Sequence, residues 1–356
     1  MNKISRLWAL VITISILALG AVVANSNSPS SAEGGCAGKA YVVNQNDDTV
    51  SVIDTATNSV VGPAIPVGIT PVGIAITPDG TKAYVTNYLD DTVSVINTAT
   101  NAVVGPAITV GNGPNGVAIT PDGTKAYVTN FGDGTVSVIN TATNAVVGPA
   151  ITVGNGPLAI AITPDGTKAY VTNQNDGTVS VINTATNAVV GSAITVGSVP
   201  VAIAITPDGT KAYVTNQFAN TVSVINTATN AVVGPAINVG SVPFGIAITP
   251  DGTKAYVVNQ NDDTVSVIDT ATNSVVGPAI PVGSVPVGIA ITPDGTKAYV
   301  TNFNPDTVSV INTATNAAVG SPIPVGDGPT GIAICPAAVV PPVTPTDPAV
   351  VLKFTG

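Results

Sequence analysis

The chain has 356 residues, 45% of them hydrophobic and only 8% charged, with no histidine and a formal net charge of −10. Ten cations against 20 anions cannot neutralise many phosphates, so nucleic acid is excluded as a partner, and anionic lipid headgroups fit no better. The missing histidine removes the commonest general base and metal ligand, and so low a charge content rules out a coiled coil.

The amino terminus reads as an export signal. Lys3 and Arg6 precede an apolar run from Leu7 to Ala24 that only Thr13 and Ser15 interrupt. Val22 and Ala24 are small residues of the kind a signal peptidase requires, so residues 1–24 are expected to be removed, leaving no membrane span. An uncleaved anchor is the alternative, because the 18-residue run is near the lower limit for a span. Residues 25–37 form a Ser/Asn/Gly-rich linker. Its Cys36 lies well past the apolar run, which argues against a lipoprotein.

Residues 38–335 are one unit written seven times. Tyr-Val-x-Asn begins at Tyr41, Tyr84, Tyr127, Tyr170, Tyr213, Tyr256 and Tyr299, always 43 residues apart. Each unit carries four strand signals separated by turn residues. In one copy these are Gly73 to Ile76, Lys82 to Asn87, Thr92 to Asn97 and Ala102 to Val110. Pro78-Asp79-Gly80 and Thr98-Ala99-Thr100-Asn101 supply turn chemistry between them. Four strands per 43 residues is the period of a propeller blade, and a linear β-solenoid is the runner-up. Gly73 and Ala75 suit a crowded axis, and Gly105-Pro106 suits an outer edge.

The repeats start on a second strand at Lys39 and finish on a first strand, Gly331 to Cys335. The expected fold is therefore an all-β, seven-bladed propeller of four-stranded antiparallel blades, with one blade shared by both ends of the chain. An open array would leave two strand edges bare. Cys335 takes the place of Thr77 and Cys36 that of Asp79, within disulfide reach across the missing turn. An exported protein permits that bond, although two unrelated thiols would have the same sequence. Residues 336–356 are a Pro-rich tail, in which Ala349 to Phe354 are either an extra strand or a remnant of a longer architecture.

Tyr84-Val85-Thr86-Asn87, with Pro-Asp-Gly-Thr-Lys before it and Thr-Val-Ser-Val-Ile after it, resembles the YVTN β-propeller repeat family in all seven copies. The resemblance implies seven blades and an envelope or extracellular setting, as in exported bacterial and archaeal surface-layer proteins. Similar propellers include lactonase-like enzymes and quinoprotein subunits that use His, Arg or Glu around the axis. Once residues 1–24 are removed, this chain keeps no His, no Arg and only Glu33, so no catalytic residue carries over.

Differences between copies concentrate in two loops expected on one face: the loop joining the second and third strands, and the loop leading into the first strand. The candidate binding rim comprises the carboxylates Asp47, Asp48, Asp90, Asp91, Asp133, Asp176, Asp262, Asp263 and Asp306. Tyr88, Phe131, Phe218, Phe303 and Phe244 join them as aromatic anchors. The bland alternative is ordinary hairpin chemistry, which favours Asp, Asn and Gly in any case. The recurring lysines (Lys82 and its copies) are expected to pair weakly with Asp79 and its copies across one hairpin. No Asp-x-Asp-x-Asp-Gly loop occurs, so neither a metal nor a cofactor is expected. The functional expectation is an exported, monomeric, non-enzymatic module that binds a protein or glycan in the periplasm, at the cell surface or outside the cell. The alternative is a lactonase-like or redox-associated periplasmic enzyme.

Overall fold

The structure is a computed structural model that describes residues 36–337. The signal, most of the linker and most of the tail lie outside the described residues. Among the described residues no helix is long and apolar enough to cross a membrane.

Seven antiparallel sheets follow one another around the ring, one per repeat. In the first complete blade the strands are Pro71–Ile76, Lys82–Asn87, Thr92–Asn97, and an outer strand in two pieces, Ala102–Val103 and Ile108–Thr109. The sequence predicts one unbroken outer strand, and the break has a local cause. Gly105 takes a left-handed backbone (φ 70°), which no strand can continue through. Gly191 does the same (φ 71°) although serine, not proline, follows it, so the glycine makes the break. Both pieces still pair with the third strand, through Ile96↔Val103 and Val93↔Ile108.

The inner strand begins at Pro71, earlier than the expected Gly73, and its register shifts between Pro71 and Ile74. At that irregularity neighbouring inner strands nearly touch. A Cβ on Gly73 would lie 2.3 Å from the Asn115 carbonyl oxygen, and one on Gly331 would lie 2.4 Å from that of Val72. Alanine stands there in two blades, as Ala159 and Ala202.

The apolar core is divided among the interfaces between blades. One cluster joins Ala75, Tyr84, Val93, Val95 and Ile108 to Val117, Ile119, Ala126, Val128 and Ile139 of the next blade. Tyr84 also carries a polar clamp. Its hydroxyl donates to Asn144 Oδ1 at 2.7 Å in the following blade, with the Thr141 carbonyl 3.3 Å away. Lys82 Nζ donates to the same carbonyl at 2.6 Å. The lysine therefore bonds across the blade interface, not back to its own hairpin as expected. Asp79 instead accepts from the Thr77 and Thr81 hydroxyls, at 2.5 and 2.9 Å. Every tyrosine of the repeat makes this clamp, including Tyr299 onto Asn58 at 2.6 Å and Tyr41 onto Asn101 at 2.6 Å, which carry it around the closing blade.

The two ends of the repeat array share a sheet, as the sequence predicts. Pro329–Ile334 pairs with Lys39–Asn44 through Ala40↔Ile334 and Tyr41↔Ala333. Cys36 and Cys335 are disulfide-bonded, with Cα atoms 5.8 Å apart and a separation of 299 positions in sequence. In the other blades a Thr hydroxyl donates to an Asp at these two positions, so the disulfide is a covalent version of that hydrogen bond.

Candidate functional site: an acid-rimmed mouth around the axis

Both variable loops emerge on the same face. Tyr88 N donates to Thr70 O at 3.0 Å, and Gln45 N donates to Gly328 O at 2.9 Å, tying each second-to-third-strand loop to a lead-in loop.

All nine candidate carboxylates are engaged by backbone N–H groups of those lead-in loops. Asp90 accepts from Ile69 N at 2.7 Å, and Asp47, Asp133, Asp176 and Asp262 take equivalent donors at 2.7–2.8 Å within their own blades. Asp48, Asp91, Asp263 and Asp306 reach into the following blade, accepting from Thr70, Gly113, Val285 and Gly328 at 2.8–2.9 Å. This second group has a left-handed backbone (φ 54–56°), which Asp tolerates better than most residues. Asn220 does the same work with its side-chain oxygen, bonding Val242 N at 2.9 Å. The Asp176 carboxyl is held below its ordinary range, first by the Asn155 backbone N–H and then by the Asn155 side chain. The rim acids therefore staple loops. Among the described residues no cluster of three or more His, Cys, Asp or Glu is placed to hold a metal ion.

The candidate aromatics separate into three environments. Tyr88, Phe131 and Phe303 are half-buried at one repeat position around the mouth. Burial, and secondarily the Asp91 charge, raises the Tyr88 phenol pKa. Phe218 projects from the next loop position and is 72% exposed. Phe244, expected on the rim, is fully buried on the axis, because the lead-in turn directs the residue after the strand's first proline inward.

Around the mouth two positions are coupled. Each half-buried aromatic faces a glycine 25 residues further on: Tyr88 with Gly113, Phe131 with Gly156, Phe303 with Gly328. A Cβ on those glycines would lie 3.0–3.1 Å from the ring Cε2. Where the aromatic is replaced by Gln45, Gln174, Gln217 or Gln260, the facing residue is Thr70, Val199, Val242 or Val285. All of these facing positions have positive φ, so the β-branched residues are held at 52–56° in a region they rarely enter. The mouth thus has an aromatic–glycine sector and a glutamine–valine sector.

Beneath it a ring of side chains closes the axis: Val72, Asn115, Leu158, Val201, Phe244, Val287 and Thr330, one from each blade. All are buried. Val72, Phe244 and Val287 form one cluster, flanked by Tyr88 and Phe303. Asn115 stands among these residues with neither amide atom hydrogen-bonded. Apart from Phe244, the loop-by-loop sequence reading missed this ring. Its signal is the repeat column containing Val72, where all copies are otherwise nearly alike and no two adjacent blades agree.

A family model described as "Lactonase, 7-bladed beta-propeller" matches residues 38–277. The chain belongs to the lactonase family of seven-bladed propellers. No protein of curated function matches it. Among solved structures, this lactonase-family propeller is similar to a protein of unknown function from Desulfotomaculum acetoxidans, with a TM-score of 0.74 and 21% identity over 85% of this chain and 100% of that one. It is also similar to hydrazine synthase of Kuenenia stuttgartiensis, with a TM-score of 0.71 and 24% identity over 82% of this chain and 99% of that one. The periplasmic gluconolactonase PpgL of Pseudomonas aeruginosa gives 0.70 and 17% over 83% and 98%. At these identities the likeness is one of fold.

Proposed function

We propose that the chain is an exported, ligand-binding member of the lactonase family that holds an uncharged, glycan-like ligand at its mouth without turning it over. The observation that carries this reading is the chemistry of the variable face. Half-open rings of Tyr88, Phe131 and Phe303 offer stacking surfaces there, beside amides such as Asn46 and Asn175. The carboxylates of the same face are committed to loop N–H groups. Lysines such as Lys82, Lys125 and Lys254 lie at the opposite face, each bonded to a carbonyl of the next blade, so among the described residues an anionic ligand finds no counter-charge at the mouth. A disulfide suits an oxidising compartment, in keeping with export.

Binding to a neutral glycan array, lost on substituting the three mouth aromatics by alanine, is the expected result. Retention of all binding by that variant counts against the reading.

The family match favours a second reading, hydrolysis of a lactone ring. With no histidine in the chain, a mouth carboxylate such as Asp91 or Asp133 is the candidate base. Incubation with a panel of sugar lactones decides between the two. Turnover that falls in Asp91→Asn or Asp133→Asn would replace the binding reading with the enzymatic one.

A further inference from the structure

Asn-Gly occurs three times in the chain, at Asn112-Gly113, Asn115-Gly116 and Asn155-Gly156. Asparagine is thermolabile, and most so before glycine, whose nitrogen no side chain shields from the amide carbon it attacks. Two of the three pairs share one local sequence, Val-Gly-Asn-Gly-Pro, from Val110 to Pro114 and from Val153 to Pro157. Any difference between those two therefore comes from the fold.

The fold treats the glycine nitrogens differently. Gly113 N donates to Asp91 Oδ1 of the preceding blade at 2.8 Å, in a partly buried bond. Gly116 N donates to the Thr129 hydroxyl at 2.8 Å within a buried strand. Gly156 N finds no acceptor among the described residues, because Gly134 stands in the repeat position of Asp91. Asn155 itself is exposed, so base and water reach it. Its Nδ2 donates to Asp176 Oδ1 at 2.9 Å, but that bond is exposed too and holds little against water.

The chain already contains the product of a change at this position. At the closing blade Asp327-Gly328 replaces Asn155-Gly156, opposite Gln45-Asn46-Asp47 in place of Gln174-Asn175-Asp176. There Asn46 Nδ2 donates to Asp327 Oδ1 at 2.9 Å. Asn175 stands in the same place. Its Nδ2 lies 2.6 Å from where a Cβ on Gly156 would be, against 2.7 Å for Asn46 Nδ2 and Gly328. A carboxylate at position 155 would lose the bond to Asp176 and gain one from Asn175.

We infer that Asn155 is a site of spontaneous deamidation, a modification that adds a carboxylate to the acid rim of the mouth. Gly156 N attacks Asn155 Cγ, and the new N–Cγ bond closes a succinimide. The Cγ–Nδ2 bond breaks, and ammonia leaves with the proton that Gly156 N gave up. Water then adds to either ring carbonyl and reopens the ring as aspartate or isoaspartate; nothing is oxidised or reduced. The inference does not depend on which ligand the mouth takes.

The test incubates the full exported protein in warm, mildly alkaline buffer and follows the aspartyl and isoaspartyl forms of each Asn-Gly site by peptide mapping and mass spectrometry. In the folded protein Asn155 should convert about tenfold faster than Asn112, whose glycine must first give up a bond to a charged group. In reduced, denatured protein the two should convert at one rate. Gly134→Asp should slow Asn155 to the rate of Asn112, since its Cβ meets only the Gly154 carbonyl oxygen at 3.4 Å and its φ of 65° resembles that of Asp91. Asp91→Gly should speed Asn112 toward the rate of Asn155. Asn155→Asp, which mimics the aspartyl product, should melt with the parent. Equal rates at Asn112 and Asn155 in the folded protein overturn the inference, as does a Gly134→Asp variant that melts with the parent yet converts Asn155 just as fast. An Asn155→Asp variant that melts well below the parent overturns the exchange of Asp176 for Asn175.

Discussion

The turn face and the mouth face of the ring both rely on Asp carboxylates to order loops, but with different reach. At the turn face Asp79 and its copies bond within their own hairpin, to the threonines on either side. The chemistry is local, so it repeats without change. At the mouth Asp48, Asp91, Asp263 and Asp306 reach into the next blade, and the residue they meet differs from blade to blade. Tyr88, Phe131 and Phe303 also lean on the next blade, each on a glycine, and where the aromatic is replaced by glutamine the facing residue is threonine or valine, so these two columns vary in pairs. Much of the variation that resembles a recognition surface is therefore packing. What packing leaves unexplained is Asn115.

The comparison is broken most severely at the closing blade, where the turn-face hydrogen bond is replaced by the disulfide. Cys335→Ser opens a loop of 299 residues. On the chain-entropy model, closing such a loop contributes up to about 5–6 kcal/mol. The melting temperature should fall further than for any single mouth substitution, and aggregation should rise as strand edges are exposed. A mutant as stable as the non-reduced parent would show that the sheet pairing closes the ring unaided.

Alkaline pH attacks the turn-face clamps together. Burial raises the phenol pKa of Tyr41, Tyr84, Tyr127, Tyr170, Tyr213, Tyr256 and Tyr299 to about 12. The unfolded chain loses these protons near pH ~10, where the folded protein still holds them. Stability from this source is complete below about pH 10 and declines as pH rises toward 12. Unfolding followed by circular dichroism should coincide with the appearance of tyrosinate absorbance. Ionisation of these tyrosines well before unfolding would refute the clamp.

A single clamp is worth much less. Tyr84→Phe removes the bond to Asn144 but keeps the ring, and should cost about 1 kcal/mol in chemical denaturation. Since each clamp joins a different pair of blades, Tyr84→Phe and Tyr213→Phe should add.

Most of the turn face was legible in the sequence because its interactions are local or recur at a fixed offset. The 43-residue interval alone places Tyr84, the Thr-Ala-Thr-Asn turns and the shared closing sheet. The cysteines were legible because they fill two defined places in a known turn. The lysine was misread, because pairing Lys82 with the nearby Asp79 ignores that the next blade is as close as the next strand. The buried Phe244 was misread for a similar reason. Its loop neighbours Ser241 and Val242 are only half-buried, but after the strand irregularity at Pro243 the following side chain lies buried on the axis. Burial along a sevenfold axis depends on all blades at once, and no single unit carries that information.

The smallest quantity expected, a coupling energy between two residues, is also the sharpest probe of the mouth's two sectors. Gly113→Val places a Cβ 3.1 Å from the Tyr88 ring, at a backbone φ of +63°. It should destabilise by about 1–2 kcal/mol, through crowding and left-handed strain together. Adding Tyr88→Gln should recover the crowding part, because the pair then matches Gln174 with Val199, an arrangement the chain already contains. The reverse change, Val199→Gly, should stabilise by about 1 kcal/mol by relieving a valine held at φ 56°. A double-mutant cycle on Tyr88 and Gly113 should return a coupling of about 0.5–1 kcal/mol, against none for Tyr88 paired with Val199 on the far side of the ring. If both cycles give zero, the two columns vary independently, and the sectors would reflect selection on a ligand acting at each residue, not packing between them.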